Sequence, residues 1–154
     1  MWDEGEPKEA FHQAINFSNK TAMSLSDKFC VDRHKKNFLD LVQNKLDITF
    51  ANEQEILELI DAKSIEDVVS FGKKLDKTLV ITRSDKGSVA VSQGVVTECK
   101  SQNNLKIVDL TGAGDLFAAG FLHGYINNKS IKESLEKGTE MSSKIIQIIG
   151  ARLS

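Results

Sequence analysis

Asp109-Leu110-Thr111-Gly112-Ala113-Gly114-Asp115-Leu116-Phe117-Ala118-Ala119-Gly120-Phe121 is the stretch on which the reading of this 154-residue chain turns. It follows the apolar pair Ile107-Val108, read as a short strand. It leads into a run to about Ile126 that is apolar nearly all round, the pattern of a buried helix. Two glycines in three residues at a strand-to-helix junction allow a tight turn and a close approach of backbone N–H groups to a ligand. The first turn of a helix adds unpaired N–H donors and a partial positive charge, so the junction can hold a phosphate. Asp115 falls in that turn. Donors that stabilise charge on a phosphoryl group, beside a carboxylate that can take a hydroxyl proton, are what phosphoryl transfer to an alcohol needs. A bare Gly-x-Gly-Asp could equally be a turn with an acid complementing the helix dipole. The small residues Ala118, Ala119, Gly120 and Gly124 extend the pattern to a helix that packs closely.

Working outward, helices and strands alternate. Glu6–Ser18 carries Ala10, Phe11, Ala14, Ile15 and Phe17 near a 3.6 period and reads as a helix. A short strand from Thr21 ends at Asp27, and a helix covers Val31–Asn44. Asp47–Ala51 is a strand, followed by helices over about Glu53–Ile60 and Ser64–Leu75. The second of these opens on Ser-x-x-Asp, a variant capping box. Thr78-Leu79-Val80-Ile81-Thr82 is the clearest strand, apolar on consecutive positions as in a parallel sheet buried on both faces. Gly87–Ser92 and Val95–Lys100 form a meander around Gln93-Gly94. Ser130-Ile131-Lys132-Glu133 caps a last helix running to about Ile149, with Gly150 as its C-cap. Alternation of this kind implies an α/β fold with a mainly parallel sheet and helices on both faces, in one domain over residues 1–154.

Bulk properties narrow the function classes. Charged residues make up 27% and the net charge is −2 with both signs interleaved, so a basic nucleic-acid-binding face is not expected. The densest basic run, Arg33-His34-Lys35-Lys36, lies in a helical pattern and reads as a solvated face. Cys30 and Cys99 are far apart and the three histidines are scattered, so no metal or redox framework is expected and the thiols fit a reducing cytosol. No apolar run approaches the ~20 residues of a membrane span. The acidic start Met1–Glu6 resembles neither a signal nor a transit peptide. A cytoplasmic protein is expected.

The string Asp109–Phe121 closely resembles the C-terminal signature of the ribokinase-like (PfkB) carbohydrate kinases. The resemblance implies a three-layer sandwich, with Asp115 as catalytic base and Gly112, Ala113 and Gly114 as the anion hole. Asn52-Glu53-Gln54-Glu55 matches the family's Asn-x-x-Glu element, which implies that Asn52 and Glu55 support magnesium and phosphate, largely through water. The same four residues are an ordinary capping box, and the two readings are compatible. Thr82-Arg83-Ser84-Asp85-Lys86-Gly87 resembles the nucleotide-contacting Thr-x-Gly-x-x-Gly turn, with Ser84 in place of the first glycine. Thr82 and Gly87 are the nucleotide-binding candidates. Ser24–His34 and the tail Ile145–Leu153 look like the adenosine-kinase-like branch, whose tail would line an adenine pocket.

The resemblance spans the chain but only the later half of the family's length, so the N-terminal glycine-rich substrate motif and lid strands are expected to be missing. An exposed sheet edge, uncovered apolar surface and marginal stability or aggregation are then expected. The implied function is ATP-dependent phosphoryl transfer to a sugar or nucleoside hydroxyl, with ATP and Mg2+, and a monovalent cation from the family alone. No direct protein–metal bond, nucleic acid or membrane is implied. The alternatives are a nucleotide-binding module without activity of its own, or an inactive structural fragment.

Overall fold

The alternation is present throughout residues 6–153, which the structure, a computed structural model, describes. In chain order the elements are α1 (Glu6–Phe17), β1 (Ala22–Ser24), α2 (Lys28–Asp40), β2 (Ile48–Asn52), α3 (Glu53–Leu59), α4 (Ile65–Gly72), β3 (Thr78–Thr82), β4 (Ser88–Ser92), β5 (Val95–Cys99), α5 (Ala113–Ile126) and α6 (Ile131–Ile145). The acidic start over Met1–Gly5 lies outside the described residues. The fold is α/β, with one mixed, mainly parallel five-stranded sheet in the order β1-β2-β3-β4-β5. β1 and β2 are parallel, with Ala22 opposite Ile48 and Ser24 opposite Phe50. The Gln93-Gly94 turn between β4 and β5 is too short for anything but an antiparallel pair. Its φ angles of +50° and +76° are those of a type I′ hairpin.

The chain divides into two compact units, one built on residues up to Val80 with Val91–Val95, the other on Ile81–Ala90 with residues from Val96 on. In the first, α2 begins at Lys28, earlier than its apolar pattern suggests. Asp27 is its N-cap, accepting a hydrogen bond from the Cys30 N–H at 2.8 Å. The helix kinks at His34 and runs into a π-helical turn, Leu41–Lys45, closed by the Leu46 N–H to the Leu41 carbonyl. Val31, Phe38, Leu41, Val42, Ile56, Leu59 and Val68 are buried with the strand residues Ile48 and Leu79. Phe17 and Phe29 stay exposed, at 90% and 78%.

The second unit is organised around α5 and α6. Phe117, Gly120, Phe121 and Gly124 are buried, and the backbones come so close that a Cβ on Gly120 would sit 2.7 Å from the Lys137 carbonyl. Burial takes one face of α5 only, because α6 covers that face. Ile126 is 72% exposed, so the expectation of burial on all sides is corrected. Ile107-Val108 is not a strand. The Val108 N–H donates to the Ile146 carbonyl at the end of α6 (2.8 Å) rather than to a neighbouring strand. α6 also stops short, at Ile145, and Gly150 (φ +89°) is not its cap but a residue of the tail. Apolar side chains remain exposed here, among them Ile107, Leu110 and Ile149. Among the described residues no helix is long and apolar enough to cross a membrane.

Candidate functional site

Gly112 is the N-cap of α5, with φ +77°, and a Cβ on it would lie 2.9 Å from the Ala151 Cβ. Only glycine combines that conformation with that approach. The turn it makes leaves a defined set of donors. The Ala113 N–H is engaged with the Leu110 carbonyl (3.2 Å) and the Thr111 N–H with Asp109 Oδ1 (2.9 Å). The N–H groups of Gly112, Gly114 and Asp115 have no partner among the described residues. The Asp115 side chain is exposed on the first turn of α5 and likewise has no described partner. Three free amides thus lie beside a free carboxylate, an arrangement able to hold an oxyanion and accept a proton.

Sequence reading assigned no role to Asp109, although it opens the decisive stretch. Its Oδ1 accepts from the Thr111 N–H and hydroxyl (2.9 and 2.7 Å), and its Oδ2 accepts from the Gly150 N–H (2.9 Å). These bonds hold the carboxyl down at about 2, the Thr111 hydroxyl contributing most. Asp109 therefore ties the glycine loop to the tail. Because its folded value lies below the ordinary 3.8, its contribution to stability is complete above that pH and is lost as pH falls toward 2. Melting curves from pH 5 down to pH 2.5 should show wild type and Asp109→Asn converging as acid is added. A constant gap between them would remove Asp109 as the acid-sensitive tie.

The turn after β3 belongs to the same unit. A 3-10 turn over Ser84–Lys86 is closed by the Arg83 N–H to the Gly87 carbonyl (2.8 Å) and the Gly87 N–H to the Ser84 carbonyl (3.1 Å). Ser84, which replaces the expected glycine, keeps a left-handed conformation at φ +51°, so the backbone path is that of a glycine turn. Thr82 ends β3, half-buried, and Gly87 is buried at φ +89°. Beside the turn, Arg83, Lys86 and Ser88 join Cys99 and Thr139 in lining a cavity of about 470 Å3. Cys99 and Thr139, absent from the sequence-derived site, face each other there, Sγ to Oγ1 at 3.5 Å. Cavity and glycine loop are both attached to α6 and its tail. Thr139 lines the first, while Ile146, seven residues and about 10 Å further along, bonds the segment leading into the second.

Asn52 and Glu55 lie in the other unit, at the start of α3. The Asn52 side chain accepts from the Glu55 N–H (2.8 Å), and the Glu55 carboxylate accepts from the Asn52 N–H (2.8 Å) and side-chain amide (2.7 Å). The capping box is therefore present. Glu55 is only 5% exposed, and burial, with Asp27 adding to it, pushes its carboxyl up against the lowering effect of the Asn52 N–H.

The family model described as "pfkB family carbohydrate kinase" matches residues 6–154. The chain belongs to the pfkB family. Among pfkB-family and related proteins, a cytidine kinase from Thermococcus kodakarensis is 33% identical over 119 residues, which cover 73% of this chain and 41% of that enzyme. The crystal structure of adenosine kinase from Sinorhizobium meliloti matches with a TM-score of 0.94 at 36% identity, over 99% of this chain and 48% of that one. A probable sugar kinase from Rhizobium etli matches with a TM-score of 0.93 at 35% identity, over 98% and 47%. The chain thus spans about half the length of these pfkB relatives.

Proposed function

We propose that this chain carries the nucleotide-binding and catalytic portion of an ATP-dependent kinase that phosphorylates a sugar or nucleoside hydroxyl. The observation that carries the reading is the cluster of free N–H groups on Gly112, Gly114 and Asp115 beside the free Asp115 carboxylate. In this reading the three amides hold the oxygens of the transferred phosphoryl group, where negative charge develops. Asp115 accepts the proton of the attacking hydroxyl as the new P–O bond forms and the bond from the γ-phosphorus to the bridging oxygen of ADP breaks. Thr82 and the Gly87 turn border the nucleotide, whose base occupies the cavity lined by Ser88, Cys99 and Thr139. Gly112 and the Asp109 tie to Gly150 keep the donors aligned.

In this reading magnesium is held at Asn52 and Glu55. Both Glu55 oxygens already accept from Asn52, and no group of three or more His, Cys, Asp or Glu side chains able to hold a metal occurs among the described residues. Asn52 and Glu55 would hold the ion through its water shell, as suits a cation that keeps several waters. When bound it neutralises phosphate charge. No step is assigned to a monovalent cation.

Gly114 offers a clean test. A Cβ there meets nothing within 4 Å, and alanine is the better helix former by up to about 1 kcal/mol. Gly114→Ala should therefore melt at or above the wild-type temperature. If ligand phosphate approaches the Gly114 N–H, the added methyl group blocks it, and calorimetry with an ATP analogue and magnesium should show affinity reduced about tenfold or more. Unchanged affinity in a folded variant would move the phosphate away from this turn. Binding by wild type without turnover on any sugar or nucleoside would favour a nucleotide-binding module over an enzyme.

A further inference from the structure

Ser88 opens β4, its side chain on the same face as Ala90 and Ser92. It is 3% exposed and lines the cavity beside the Ser84–Lys86 turn, and its Oγ has no hydrogen-bond partner among the described residues. The other buried polar side chains of that wall are engaged. Thr139 Oγ1 and Cys99 Sγ meet at 3.5 Å, and the thiol also reaches the Lys100 carbonyl at 3.6 Å. The rim is tied as well: Lys132 Nζ donates to the Glu98 carbonyl at 2.6 Å and lies 3.9 Å from the Glu136 carboxylate.

A hydroxyl buried without a partner destabilises the fold, whereas removing it along with the need for a partner is close to neutral. Keeping serine here makes physical sense if a ligand supplies the missing bond. The cavity, about 470 Å3, is of a size that encloses a small organic ligand. A serine hydroxyl donates one hydrogen bond and accepts others. It therefore complements the edge of a heterocyclic base, where ring nitrogens that accept stand next to amino or N–H groups that donate. Phosphate offers acceptors only, and the free amides of α5 already provide for it.

We propose that Ser88 is a specificity-determining residue that hydrogen-bonds the edge of the nucleotide base. The inference rests on the nucleotide reading above and adds to it the atom that reads the base.

The test compares wild type and Ser88→Ala in the 154-residue chain, with ATP and with inorganic tripolyphosphate as calorimetric probes and a melting curve of each unliganded protein. One lost hydrogen bond should lower ATP affinity about five- to tenfold. Tripolyphosphate affinity should not change, and the unliganded melting temperature should hold or rise. Equal ATP affinity in the two proteins overturns the role of Ser88 and leaves the nucleotide site standing. A lower melting temperature with parallel losses for both probes overturns it in favour of a structural hydroxyl. A wild-type chain that binds tripolyphosphate no more weakly than ATP overturns base reading altogether, and with it the placement of the base in the cavity.

Discussion

Asp115→Asn should lower the rate of phosphoryl transfer by about 10²- to 10⁴-fold, the usual contribution of a general base, while nucleotide affinity stays within about twofold. The side chain keeps its size and the backbone donors of α5 are untouched, so only proton acceptance is lost. Two carboxylates border the glycine loop, and their surroundings separate their roles. Asp109 accepts three hydrogen bonds through both oxygens and is held at about 2, so it is committed to structure and poorly suited to taking a proton. Asp115 is exposed, on the first turn of α5, and has no partner among the described residues. Release of ADP, coupled to an indicator reaction over a panel of sugars and nucleosides, measures the rate. Calorimetry with an ATP analogue measures the affinity. Turnover close to wild type in the variant would remove Asp115 from the chemistry, and a parallel loss of affinity would make it a binding residue instead.

Gly87→Ala should cost about 4 kcal/mol of folding stability, at the upper end of single substitutions. Two causes combine. At φ +89° and ψ −136° the backbone is in a region essentially reserved for glycine. A Cβ would also lie 2.1 Å from the Cys99 carbonyl oxygen, 2.8 Å from the Ser101 nitrogen and 3.0 Å from the Lys100 carbonyl carbon. Those are backbone atoms, which cannot swing aside as the end of a flexible side chain could. Gly94→Ala is the natural comparison, since Gly94 also has positive φ (+76°) but a Cβ there meets nothing within 4 Å. It should lose only the conformational part, about 1–2 kcal/mol. Urea unfolding of the two variants separates strain from collision. If both lose the same amount, the Ser84–Lys86 turn relaxes freely and Gly87 is not held against the Cys99–Ser101 backbone.

The sequence carried the parts of this structure that depend on neighbours along the chain. β3 was legible from the consecutive apolar residues Leu79, Val80 and Ile81 between two β-branched threonines, because a doubly buried strand needs no polar face. The boxes at Asn52–Glu55, Ser64–Asp67 and Ser130–Glu133 were legible because a cap is a contact between residues three apart. The Gln93-Gly94 hairpin and the start of α5 followed from residues that tolerate positive φ. The same local logic misjudged Ile107-Val108, whose apolar character says nothing about whether a strand lies alongside. It also placed Gly150 as a helix cap, when the partner of its N–H is Asp109, 41 positions earlier.

For the candidate site, local pattern pointed to the glycine loop and Asp115 but could not say which amides are free. That depends on how the turn folds back, sending the Ala113 N–H to Leu110 and leaving those of Gly112, Gly114 and Asp115 available. Ser84 looked like a departure from a glycine turn, yet the turn's own hydrogen bonds hold it in the glycine conformation. Ser88, Cys99 and Thr139 gave no signal at all, each being an ordinary residue of its own strand or helix. By itself, then, the sequence determined most of the elements, the three capping boxes and the chemistry-bearing loop, since each is fixed by interactions within a few residues. Only the tertiary structure decided that Asp109 is tied to the tail and which side chains share a cavity, because those outcomes depend on atoms that the fold brings together from segments 40 or more positions apart.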